Sequence, residues 1–103
     1  MHPIISVVLV TYNHEKYVAE AVQSILGQTF DNFELIIIND GSTDETEKVI
    51  KSFNDARIKY VYQHNQGPSA AINAGTELAC GKYVMFMSGD DVSHPERMEK
   101  QYK

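Results

Sequence analysis

Two adjacent carboxylates, Asp90 and Asp91, end the run Lys82-Tyr-Val-Met-Phe-Met-Ser-Gly-Asp-Asp91, whose apolar part has the length and composition of a buried strand. Ligands of open α/β sheets bind in the crevice outside the carboxyl ends of the strands. Acids placed there can hold a hard divalent cation against a phosphate, because Mg²⁺ is bound through one or two carboxylates together with phosphate oxygens. The plainer reading is an Asp-rich turn leading toward Pro95. Both acids fall in a loop, so a solvated helix face does not account for them. A second apolar run, from Phe33 to Asn39, also ends in an acid, Asp40, followed by Gly41-Ser42-Thr43-Asp44. Asp40 could bind a base or ribose; by itself it also reads as a turn residue ahead of a helix. A third polar loop, Thr11-Tyr12-Asn13-His14-Glu15, follows the first apolar run. Tyr12 could stack on a base or pack on the next helix. Asn73, among Ala70, Ala71 and Ala74, needs a partner, either a ligand or a neighbouring loop.

The elements that must carry these loops follow from periodicity. Residues 4–10 (IISVVLV) are β-branched without alternation, the pattern of a strand buried on both faces. Asn13 is a candidate N-cap for a helix whose stripe is Tyr17, Val18, Ala21, Val22, Ile25 and Leu26, closed by Gly27. Residues 34–39 form a second buried strand. Ser42-Thr-Asp-Glu45 has the form of a capping box, with Val49, Ile50 and Phe53 as the apolar stripe of a second helix. Residues 57–63 alternate through Ile58, Tyr60 and Tyr62, which suits a sheet edge. Pro68 opens a third helix reaching about residue 79, with Gly81 just beyond it. Residues 83–87 are the fourth strand, and Pro95 starts a last helical pattern over 96–103. This succession predicts a doubly wound α/β fold, a mainly parallel sheet in the order 3-2-1-4 with helices on both faces.

Composition narrows the function. With 103 residues the chain makes one domain, and 43% apolar residues including six Tyr and four Phe suffice for a core. A net charge of -5 argues against a nucleic-acid surface, but not against a nucleotide bound through a cation. The single Cys80 excludes an intrachain disulfide and is expected to be a buried structural thiol. His2, His14, His64 and His94 lack zinc-ligand spacing. Neither a phosphate-binding Gly-rich loop nor a nucleophile elbow follows any strand. No stretch approaches the roughly 18 apolar residues of a membrane span, and the start lacks signal-peptide regions. A cytoplasmic location is expected, at the inner membrane face for a longer protein. The last helical pattern reaches Lys103 without a cap, which suggests an excerpt whose exposed edge favours a homodimer.

Together these motifs resemble the nucleotide-sugar-binding half of the inverting glycosyltransferase family 2, which has the glycosyltransferase-A fold. The resemblance rests on Ser6-Val-Val-Leu-Val-Thr-Tyr-Asn13, on Gln28-Thr29-Phe30 with Phe33 to Asp44, on Asn65-Gln-Gly67 with Ala71, Asn73 and Gly75, and on Gly81-Lys-Tyr-Val leading to the acidic motif. It implies that Thr11, Tyr12, Asn13, Glu15, Asp40, Asn73 and Asp91 bind the nucleotide, probes of which would be UDP or a UDP-sugar. It implies that Asp90 binds a divalent cation, Mn²⁺ or Mg²⁺. Ser88 stands where the family's acidic signature begins with Asp, which is expected to weaken ribose anchoring, and Ile72 stands where many members carry Arg. The implied reaction transfers a sugar from a nucleotide diphosphate sugar to an acceptor hydroxyl on a saccharide or lipid-linked glycan. Residues 1–103 would be the donor-binding half, inactive alone, since the family's general base comes from the acceptor half. The alternative is a non-catalytic nucleotide-binding or assembly module. A phospho-receiver domain fits less well, since it needs an acidic pair where this chain has Thr11-Tyr12-Asn13.

Overall fold

A computed structural model describes residues 3–91, so the helical pattern after Pro95 lies outside the described residues. Four strands, β1 (Ile5–Thr11), β2 (Phe33–Asp40), β3 (Ile58–Gln63) and β4 (Tyr83–Ser88), form one sheet in the order β3-β2-β1-β4. All three pairings are parallel. Both the order and the direction match the sequence-based expectation. Three helices connect them, α1 (Val18–Leu26), α2 (Thr46–Lys51) and α3 (Pro68–Leu78).

Side chains alternate across a strand, and that alternation divides the core. Ile5, Val7, Leu9, Leu35, Ile37, Met85 and Met87 point to one face, where Val18, Ala21, Val22 and Ile25 of α1 and Ile50 of α2 cover them. Val8, Ile36 and Ile38 point to the other, under Ala71 and Ala74 of α3. The sheet is thus wound on both faces. Every residue of β2 is buried, and β1 is buried except at Val10, as the unbroken apolar runs require. Edge strand β3 is half-buried. On β4, Val84 and Phe86 remain exposed. Close approach of α3 to the sheet depends on Gly75, where a Cβ would overlap Val8 Cγ1 and lie 3.2 Å from Cγ2.

The helix starts differ from expectation. Asn13 does not cap α1: it has a left-handed φ of 53°, and the helix begins at Val18 after a turn in which His14 O accepts from Tyr17 N and Val18 N. Tyr17 is exposed, outside the apolar stripe. Ser42 does not head a capping box either, because α2 begins at Thr46. Glu45 is the N-cap and makes no side-chain cap bond; Asp44, one residue earlier, accepts at Oδ1 from Thr46 N at 3.0 Å and from its hydroxyl. In both cases the side chain chosen from spacing is used between loops instead. Asn13 Oδ1 accepts from Thr43 N at 2.8 Å, and Ser42 Oγ accepts from Asn13 N at 2.9 Å.

A buried carboxylate ties the amino edge of the sheet. Glu34 Oε2 accepts from Ser6 Oγ and from Cys80 N, each at 2.6 Å, while Oε1 pairs with Lys59. Burial by itself would raise the Glu34 pKa; Lys59, Ser6 and the Cys80 amide more than offset it, so the group is held below its ordinary value. This arrangement corrects the expectation for Cys80. Its amide is engaged, but its thiol is exposed, because the small-residue run is a turn packed against Ser6 rather than part of the core.

Candidate functional site

Parallel register levels the carboxyl ends of the strands. Thr11 lies opposite Asn39, Asp40 opposite Gln63, and Val10 opposite Ser88. The three polar loops therefore leave the sheet at one edge, on either side of the point where the chain order reverses at β1, the place where open sheets take ligands. A cleft of about 440 Å³ opens there, between α3 and the ends of β1, β2 and β4. Tyr12, Asp40 and Ile72 line it together with His14, Asn65, Phe86 and Ser88. A larger cleft of about 650 Å³ lies at the opposite edge, near Glu34, Arg57, Lys59 and Cys80. Its cations are already paired, Lys59 with Glu34 and Arg57 with Asp55, so the carboxyl-edge cleft is the better candidate.

Asp40 is the best-held acid there, only 4% exposed. Oδ1 accepts from Gln63 Nε2 and Gln66 N, each at 2.9 Å, and Oδ2 accepts from Gly67 N at 3.1 Å. Burial pushes its pKa up, but the three donors prevail and hold it below the ordinary carboxylate value. Asp40 is thus an ionised group fixed on the residues that open α3. A carboxylate offers about four acceptor positions, so Oδ2 retains capacity toward the cleft. The turn role and the binding role are compatible in one side chain.

Thr11 is fully buried, and its hydroxyl lies 2.9 Å from His14 Nδ1. This pair supports the acidic loop. A Cβ on Gly89 would overlap Thr11 Oγ1 and lie 2.7 Å from His14 Nδ1. Only glycine allows the β4 loop to lie so close. Beyond it, Asp91 folds back: its Oδ2 accepts from Ser88 N at 3.1 Å, and its amide donates to Ser88 O at 3.0 Å. Asp90 is exposed. A hydrogen bond from the Ser88 side chain, helped by His14 against a modest desolvation, holds it below the ordinary carboxylate value.

The remaining expected residues lie further out. Asn13 is exposed and engaged with Ser42 and Thr43, as described. Glu15 is exposed; its amide donates to Asp44 Oδ2 at 3.2 Å, which leaves its carboxylate outside the cleft lining. Asn73 is exposed on α3 and needs no protein partner, because the helix face packed on the sheet is that of Ala71 and Ala74. Ile72, its neighbour, is the residue that lines the cleft. Sequence reasoning missed His14, whose only signal was its place in the first polar loop. It also missed Asn39, fully buried, whose Oδ1 accepts from Ser42 N and whose Nδ2 donates to Tyr60 Oη at 3.0 Å.

The donor set suits a hard cation that shares its ligands with phosphate. Among the described residues no three His, Cys, Asp or Glu side chains converge as a complete metal cage. One exposed, ionised carboxylate with a second beside it is what Mg²⁺- or Mn²⁺-type binding to a nucleotide requires of the protein. Among the described residues no helix is long and apolar enough to cross a membrane.

Comparison with known proteins agrees with this geometry. Residues 6–103 match the sequence model described as glycosyl transferase family 2. An uncharacterized glycosyltransferase of Rickettsia prowazekii is 42% identical over 99 residues, covering 96% of this chain and 31% of the relative. The crystal structure of S. aureus TarS 1-349 in complex with UDP-GlcNAc superposes with a TM-score of 0.90 at 30% identity, over 96% of this chain and 30% of that one. A mannosyltransferase of Pyrobaculum calidifontis, in complex with GDP-Man and Mn²⁺, shares the fold at a TM-score of 0.80 and 22% identity, over 89% of this chain and 29% of that one. The chain therefore spans about a third of the length of these relatives.

Proposed function

Because this chain belongs to glycosyl transferase family 2, with the parallel sheet of the glycosyltransferase-A fold, we propose that it is the donor-binding half of a metal-dependent sugar transferase. The donor is a nucleotide diphosphate sugar, in our reading a UDP-sugar. The acceptor is a hydroxyl on a saccharide or lipid-linked glycan. The observation that carries this reading is the convergence of Tyr12, Asp40 and Ser88, the residue from which the acidic loop starts, on one cleft at the carboxyl edge. The likeness to TarS, solved with UDP-GlcNAc, supports the choice of uracil.

In this reading Asp40 and Tyr12 hold the base and ribose. Asp40 is ionised and preset by Gln63, Gln66 and Gly67, so it accepts a base or ribose N–H or O–H without rearrangement. Tyr12, half-exposed at the cleft mouth, offers a ring face for stacking. Thr11 acts from beneath by holding His14 and the Gly89 turn. Asn13 and Glu15 shape the first loop; Asn73 and Asp91 flank the nucleotide. Asp90 would hold Mn²⁺ or Mg²⁺, which when bound neutralises charge on a departing diphosphate. The base that deprotonates the acceptor hydroxyl lies outside residues 1–103, so the isolated chain binds donor without turning it over.

Titration calorimetry with UDP, with and without Mn²⁺, tests the assignment. Asp40→Ala is expected to weaken UDP binding in both conditions. Asp90→Asn is expected to abolish the gain from Mn²⁺ and leave metal-free binding intact. A Mn²⁺ gain that survives Asp90→Asn would overturn the metal assignment.

A further inference from the structure

In the nucleotide reading the carboxyl-edge cleft accepts a diphosphate, yet among the described residues none that lines it is Lys or Arg. Among the described residues His14 is the only lining side chain that can carry positive charge. Resting on the nucleotide reading above, we propose that His14 is a second diphosphate-binding residue, donating from its imidazole to a phosphate oxygen beside the cation held at Asp90.

Three observations place the phosphates at this end. The amino end of α3 is the other natural anion site, since helix N-termini attract negative charge. Asp40 already occupies it: its carboxylate takes the amide protons of Gln66 and Gly67. A diphosphate there would face a fixed negative charge, so that end suits the uncharged base. At the opposite end His14 Nδ1 lies against Gly89, the residue that precedes Asp90, so it stands next to the proposed cation position. Finally, its backbone is rigidly held. The amide donates to Thr46 Oγ1 at 3.0 Å, and the carbonyl accepts from Tyr17 N and Val18 N at 2.9 and 2.8 Å.

The ring's other contact suits the role. The Thr11 hydroxyl is 2.9 Å from Nδ1. When that hydroxyl donates, Nδ1 is the acceptor and the ring proton resides on Nε2, leaving an N–H donor for the ligand. A charge-assisted hydrogen bond of this kind corresponds to about tenfold in affinity.

The experiment compares uridine with UDP in EDTA, by calorimetry on the intact protein, for wild type, His14→Ala and His14→Gln. His14→Ala is expected to lose about tenfold in UDP affinity while uridine binding stays within about twofold. His14→Gln, which offers an N–H near the Nε2 position, is expected to recover part of the loss. Equal losses for uridine and UDP would assign His14 a purely structural role and overturn the proposal, as would an unchanged UDP affinity. Thermal melting identifies a variant that fails to fold; in that case His14→Gln alone decides, with a greater loss of UDP than of uridine affinity supporting the proposal, and an equal loss of both, or no loss of either, rejecting it. If wild type binds neither probe, the nucleotide reading itself fails, and the inference with it.

Discussion

Gly89 shows how little space separates the acidic loop from its support. An alanine there would overlap Thr11 Oγ1 and crowd His14 Nδ1, so the pair must part or the loop must lift. Overpacking of this kind costs about 1–3 kcal/mol. Gly89→Ala is therefore expected to lower urea-unfolding stability by that amount and to reduce Mn²⁺-dependent UDP affinity more than metal-free affinity. Retention of both would mean that the loop is free to move without consequence. Asp40 and Asp90 differ in the same local terms. Asp40 is walled in by three donors, whereas Asp90 is open to solvent with its charge maintained by Ser88. In the proposed function one serves an organic hydrogen-bond donor and the other an ion.

Between elements, the polar end of β2 does more than its sequence suggests. Asn39 joins the β2–α2 turn through Ser42 and reaches β3 through Tyr60, whose hydroxyl also donates to Glu47 of α2 at 3.0 Å. Tyr60→Phe would leave the buried Asn39 amide without that acceptor, at a cost of about 1–3 kcal/mol. Chemical denaturation should register it, and a neutral result would mean that water replaces the hydroxyl. Apolar periodicity made the strands, their order and the packed helix faces legible beforehand, because burial on two faces leaves an unmistakable run at Val7 to Leu9 and Leu35 to Ile38. The helix starts were not legible. Asn13, Ser42 and Asp44 each have the chemistry of a cap, and only the approach of the first and second loops decides that all three cross-link those loops, with Asp44 also accepting from Thr46 at the start of α2. His14 escaped notice for a similar reason: its partners, Thr11 and Gly89, come from loops 78 positions apart in the chain, a separation that follows from their numbering alone.

For the molecule as a whole, charge sets the pH range of stability. Glu34, Asp40, Asp44 and Asp55 are all held below their ordinary values, the last mainly by the Arg57 side chain. A depressed folded value means the unfolded chain binds protons first. The stabilisation is present above about pH 4 and is lost as pH falls through the lowered values. At the alkaline end burial pushes Tyr60 up to about 12. Its contribution is complete below the ordinary tyrosine value near 10 and disappears as pH rises through the raised one. Thermal melting against pH should show both limits, and Tyr60→Phe should remove its share of the alkaline one; an acid limit unmoved by Asp40→Asn would contradict the assignment of Asp40. The two buried carboxylates also govern which backbone amides open to solvent. Gln66 and Gly67 are loop residues, and Cys80 lies in a turn, so their amide protons would ordinarily exchange with deuterium quickly. Held by Asp40 and Glu34, they should instead exchange at rates typical of the central strands, so that the cleft floor opens only when the sheet does. Asp40→Ala should release Gln66 and Gly67 to fast exchange while Cys80 stays protected.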